Sequence, residues 1–193
     1  MKKYIKHSEK TRKIERRMGD VLIIEKDPLP EEIDIEKVIA SIQNSVPEMF
    51  ISNIDSIYIG EFEHLKKRDL NAIFSDGAIY VTNEQDSEDD MTEDIVHELA
   101  HALEDKLGFQ IYSDGKIESE FRSKRETLYF LLKSEGYDVE LGDFLSLEYS
   151  RNFDNFLYRE VGYPMLSVLT VNLFYSPYGT TSLSEYFANC FEA

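Results

Sequence analysis

The stretch Ile95-Val96-His97-Glu98-Leu99-Ala100-His101-Ala102-Leu103 sets His-Glu-x-x-His inside a run with helical periodicity. Residues four apart on an α-helix lie about 40° from one another around the axis, so His97 and His101 share a face. Two neutral imidazoles one turn apart can each give a nitrogen to a single Zn2+ at roughly 2.0–2.1 Å, and Glu98 is then close enough to work on a water beside the metal. On the same helix Ile95, Val96, Leu99, Ala100, Ala102, Leu103 and Leu107 form one apolar stripe nearly opposite the histidines. Such a helix presses one flank into a core and shows the other to a cleft. Asp90 with Glu93 suits an N-cap pair, the acids from Glu88 to Asp94 suit the positive helix end, and Gly108 suits its close. The bare motif also arises by chance, as two satisfied surface histidines. Apolar residues at both x positions and a hydrophobic strand upstream favour the metal.

That upstream strand is Ala78–Thr82, entered through a turn at Asp76-Gly77. Its free edge is expected to suit pairing with an extended substrate, against the plainer reading of an ordinary sheet member. Further back, Val21–Ile24 reads as a buried strand, Glu31–Ser45 as a helix stopped by Pro47, 54–62 as a strand and Lys66-Lys67-Arg68 as a turn. Residues 1–20 are basic and polar and read as a short helix or loose arm. The acids between Glu84 and Asp90 invite comparison with a calcium loop, but Met91 stands where such a loop needs glycine. After Gly108, helices are expected over Glu118–Glu135, with Gly136 as the stop, and in two or three short pieces over 137–175, one of them started by Pro164.

The chain has 193 residues, 42% of them hydrophobic, which suits a folded protein able to bury a sizeable core. The expected fold is α+β and zincin-like. A small mixed sheet precedes the motif helix in an N-terminal lobe over 1–108, and a mainly helical lobe follows over 109–193 of the same domain. A net charge of −17 disfavours nucleic acid and anionic membranes and makes basic peptides the more natural partners. No apolar run is long enough for a membrane span, and no signal-peptide core follows the basic start, which suits a cytoplasmic protein. The single cysteine, Cys190, excludes an intramolecular disulfide and is expected to be a buried, inert thiol.

Zinc that does chemistry normally has three protein ligands and leaves one place open. His7 and His64 lie upstream in contexts without matching geometry, so the third ligand is expected to be an acid. If the chain is helical from Leu183, then Leu183, Tyr186, Phe187, Cys190 and Phe191 face one way and Glu185 and Asn189 the other. Glu185 then suits the metal equally with a second role, because Ser182-x-x-Glu185 is also a capping box.

Tyr178-Gly179 followed by Glu185-Tyr186-Phe187-Ala188 and Phe191 resembles the C-terminal signature of lethal-factor-type metallopeptidases. This gluzincin group includes the catalytic domain of anthrax lethal factor and the Pro-Pro endopeptidases. The resemblance covers about a quarter of the chain. It implies that His97, His101 and Glu185 hold one Zn2+, that Glu98 is the general base, and that Tyr178 steadies an oxyanion during hydrolysis of a peptide or protein substrate. Two departures stand out. Asn189 replaces the acid that usually follows the ligand glutamate by four residues, so a ligand histidine would be oriented by an uncharged amide oxygen. Glu185 also lies 84 positions after His101, which implies an inserted helical lobe over 109–174.

Overall fold

The computed structural model describes residues 14–193; His7 and the first part of the basic stretch lie outside the described residues. The chain forms two compact units, the first ending at Lys106 and the second running Leu107–Ala193.

In the first unit Ile14–Met18 (β1), Val21–Glu25 (β2), Ser56–Ile59 (β3), Ala72–Ser75 (β4) and Ala78–Val81 (β5) form one sheet in the order β1-β2-β3-β5-β4. The β2–β3 and β3–β5 pairs are parallel and the two outer pairs antiparallel. Parallel neighbours need a crossover, and Ile35–Ser45 (α1) supplies one between β2 and β3. Asp34 caps α1, its carboxylate accepting from the Glu36 N–H, and Val38, Ile39 and Ile42 are buried. The helix thus begins later than Glu31, after the Pro28–Pro30 segment has ended. Two single-turn helices, Glu48–Ile51 (α2) and Glu63–Lys66 (α3), complete the connections; Lys66 closes the latter, with the turn just beyond it.

Two readings of strands need correction. Ile14–Met18 is a strand, not part of a helix or arm: it pairs antiparallel with β2 across Gly19-Asp20, with Gly19 at φ 61°. A two-residue Gly-Asp loop is the hairpin signal that the surrounding positive charge obscured. The strand leading to the motif helix, β5, is hydrogen-bonded on both sides, so the free edge belongs to β4. Asp76 and Gly77, at φ 51° and 78°, close the tight β4–β5 hairpin as expected.

The motif helix spans Glu88–Tyr112 (α4) and buries Ile95, Val96, Leu99, Ala100, Ala102 and Leu103 of the apolar stripe read from the sequence, with Met91 added one turn earlier and Leu107 only half-buried. Both ends differ from expectation. Ser87, not Asp90, caps the start: its hydroxyl accepts from the Asp90 N–H at 3.0 Å. Gly108 does not end the helix, because a glycine stops a helix only where the chain turns left-handed. That conformation occurs at Gly115, φ 66°, after Tyr112.

The second unit is helical: Lys116–Ser134 (α5), Leu141–Leu145 (α6), Arg151–Phe156 (α7) running into a π-turn at Leu157–Val161, Tyr163–Leu169 (α8), a 3-10 turn at Tyr178–Thr180, and Leu183–Glu192 (α9). Gly136 at φ 92° follows α5, and Pro164 sits in the first turn of α8. Leu128, Leu132, Phe144, Leu157 and Leu166 belong to one buried cluster; Phe121, Phe174, Leu183 and Tyr186 form another. On α9 the buried face is Leu183, Tyr186, Ala188 and Asn189, with Phe187 and Phe191 half-buried. Cys190 is exposed, which overturns the buried-thiol expectation. The helix is rolled relative to that reading because the polar Asn189 finds a partner inside.

The molecule is therefore mixed α+β, with a five-stranded sheet first and a mostly helical part after it. Among the described residues no helix is long and apolar enough to cross a membrane.

Candidate metal centre

His97, Glu98 and His101 place one ligand-type atom each within 4.8 Å of one another, the two imidazoles half-buried. The two imidazoles meet edge-on, ring centroids 4.9 Å apart, and their Nε2 atoms are 3.2 Å apart. Two nitrogens held at roughly 2.0–2.1 Å by one tetrahedral ion are separated by about 3.3 Å. The pair thus has the spacing of two ligands on a common metal, and two nitrogens with a neighbouring carboxylate are a donor set that fits zinc. A hydrogen bond between the rings at this distance is the other reading, and it requires one Nε2 to carry a proton.

Carboxylates flank both rings. Glu104 Oε2 stands 3.7 Å from His101 Nδ1. Asp94 lies one helical turn before His97 and accepts a hydrogen bond from Gln85 Nε2 at 3.2 Å. Neither acid was singled out from the sequence, although both sit three residues from a histidine, a spacing that places them on the same face. Acids in such places orient metal-bound imidazoles through the outer ring nitrogen.

Glu98 points towards the sheet. Its Oε2 accepts from the Phe74 N–H at 2.6 Å. The pairing explains why that donor is available. Ser75 faces Ala78 across the tight turn and Thr82 N–H donates to Asn71 O, so Phe74 opposite Ile79 is a non-hydrogen-bonded pair. Its N–H therefore points away from β5, out of the free edge of the sheet.

Burial pushes the Asp94 carboxyl up from 3.8 to about 6; the charge of Glu98 adds to this, while the Gln85 hydrogen bond and His97 oppose it. The folded state thus binds this proton more tightly than the unfolded chain. Its contribution is present below the unfolded pKa and is lost as pH rises through about 6. With a chelator present, the unfolding free energy of the protein relative to its Asp94→Asn variant should fall by on the order of 2 kcal/mol between about pH 4 and pH 7. A flat difference in denaturant titrations would place the proton elsewhere.

Tyr178, Glu185 and Asn189 all belong to the second unit. Tyr178 opens the 3-10 turn, and Glu185 occupies the third position of α9, its N–H donating to Ser182 Oγ at 3.2 Å. That bond is one half of the capping box foreseen for this residue. Asn189, 3% exposed, accepts from Ser176 Oγ with its side-chain oxygen. The same oxygen would lie 2.8 Å from a Cβ added at Gly179, so Asn189 and Gly179 fit only as a pair. Burial first, and then the charge of Glu185, hold the Tyr178 hydroxyl well above its usual pKa, so it stays a hydrogen-bond donor at neutral pH.

Three residues not read from the sequence share this neighbourhood. Tyr149 donates to Asp154 Oδ2 at 2.7 Å, and burial pushes both Tyr149 and Tyr163 up to about 12, with Glu185 contributing to each. No spacing could have revealed them, since they come from the loop before α7, α7 itself and the start of α8. His64 packs edge-on against Tyr80 and beside Phe62, an aromatic role instead of a metal-binding one.

Compared with known proteins, the chain matches no family model, no curated protein and no solved structure.

Proposed function

We propose that this chain is a zinc-dependent peptidase, an endopeptidase of lethal-factor type in a zincin-like fold. The 3.2 Å approach of the His97 and His101 Nε2 atoms, with the Glu98 carboxylate beside them, carries the reading. His97 and His101 supply two ligands and Glu185, on the strength of the resemblance, the third. Zinc, when bound, supplies a Lewis acid that polarises the scissile carbonyl and makes a water nucleophilic near neutral pH. Glu98 takes the proton from the attacking water and passes it to the departing amine nitrogen. Tyr178, kept protonated, donates to the oxygen on which negative charge develops. The outward Phe74 N–H of β4, once released by Glu98, offers an extended peptide a place to pair, and the net charge of −17 favours basic sequences.

The test joins composition to turnover. Purified protein should carry one zinc per chain and cleave members of a peptide library; a chelator should abolish cleavage and added zinc restore it. Chelator-insensitive cleavage, or a zinc-free protein that gains nothing on zinc addition, overturns the reading. A second reading, a zincin-fold binding module without turnover, is favoured by Asn189, whose amide oxygen is taken up by Ser176 where the family has an acid. Stoichiometric zinc with no cleavage of any library member would establish it.

A further inference from the structure

Arg125 on α5 is 1% exposed, and among the described residues no carboxylate forms an ion pair with it. Its guanidinium donates to backbone carbonyls: Nη1 to Thr180 O at 3.1 Å and to Thr181 O at 3.2 Å, and Nη2 to Asp143 O. The guanidinium carbon lies 4.2 Å from the Phe153 ring centre, 5.3 Å from that of Phe121 and 5.8 Å from that of Phe144. Its Nε is buried with no acceptor. Burial lowers its pKa to about 10, which still leaves it charged at neutral pH.

A buried charge with an unmade hydrogen bond is expensive, and an apolar side chain among three phenylalanines would fill the space at less cost. What an apolar side chain cannot do is hold two successive carbonyls. Those carbonyls lie where the chain passes from the Tyr178 turn into the helix that carries Glu185. The Thr180 and Thr181 hydroxyls tie the turn from within, donating to Pro177 O at 2.6 Å and Tyr178 O at 2.8 Å. Arg125 anchors it from outside, and Thr180, Thr181 and Ser182 are all buried.

We propose that Arg125 is a positioning residue whose planar fork fixes the 178–182 turn, so that the Tyr178 hydroxyl and the Glu185 carboxylate keep one set separation. This rests on the peptidase reading of those two residues. Lysine offers a point charge without a fork, so Arg125→Lys keeps the charge and loses the geometry. A small misplacement near the chemistry can cost about 10^2 in rate. Arg125→Lys should therefore lower kcat roughly 10-fold or more with KM changed less than about 3-fold. In a Tyr178→Phe background the same substitution should cost less than about 3-fold, because the hydroxyl it positioned is gone. An unchanged kcat, a full multiplicative loss in that background, or an unfolded Arg125→Lys protein by circular dichroism each overturns the proposal. If the wild-type chain with zinc cleaves nothing, the peptidase reading fails alone. Amide hydrogen exchange then decides: faster exchange over 178–186 with 116–134 unchanged supports the anchor, and no local change overturns it.

Discussion

The Glu98→Gln protein should fold, bind zinc as the wild type does and lose turnover by about 10^2–10^4-fold, the range that a general base typically contributes. Glutamine keeps an oxygen that can accept from Phe74 N–H, so this contact to the sheet survives the change. What disappears is the capacity to take a proton. A loss through misfolding or metal release would appear in circular dichroism or in zinc content, and neither should move. Unchanged hydrolysis by Glu98→Gln, with zinc in place, removes the proposed mechanism whatever else the protein does.

Glu185→Gln separates two roles that the sequence left equal. Glutamine serves as well as glutamate at the third position of a capping box, so a purely capping Glu185 predicts no change in stability or metal content. A neutral amide is a far poorer zinc ligand than a carboxylate. As a ligand, Glu185 predicts a loss of zinc affinity beyond the roughly 10–100-fold that removal of an orienting partner costs, and loss of activity with it. Direct titration of the variant with zinc under competing chelator reads the difference. Wild-type affinity in Glu185→Gln assigns the residue to its helix and leaves the histidines in need of another third ligand.

Much of the first unit was legible because helices announce themselves over several turns. The stripe from Ile95 to Leu103 is buried as its spacing requires, and the Asp76-Gly77 hairpin could be read from two residues. Strands of four or five residues carry less signal. β1 lay hidden because an exposed edge strand needs no apolar alternation, and Arg16 and Arg17 gave it the look of a solvated arm. The interior place of β5 depends on which strand pairs beyond it, and no local pattern encodes that. Gly108 misled because glycine permits a helix end without enforcing one. Of the candidate site residues in the first unit, the histidine pair and Glu98 were visible through helical spacing alone. Asp94 and Glu104 follow from the same spacing, but nothing in the sequence sets them apart from the other acids of α4. Tyr149, Asp154 and Tyr163 were not visible, since their neighbourhood is made by packing between helices distant in sequence. Cys190 shows how a face drawn at ideal helical steps shifts when one polar residue, Asn189, turns inward.

The contact between Glu98 and the rim of the sheet links the carboxylate to the free edge. Any strand added alongside β4 would compete for the Phe74 amide that the carboxylate now holds. Extension of the sheet beyond β4 and the present hold on Glu98 are therefore rival uses of a single amide.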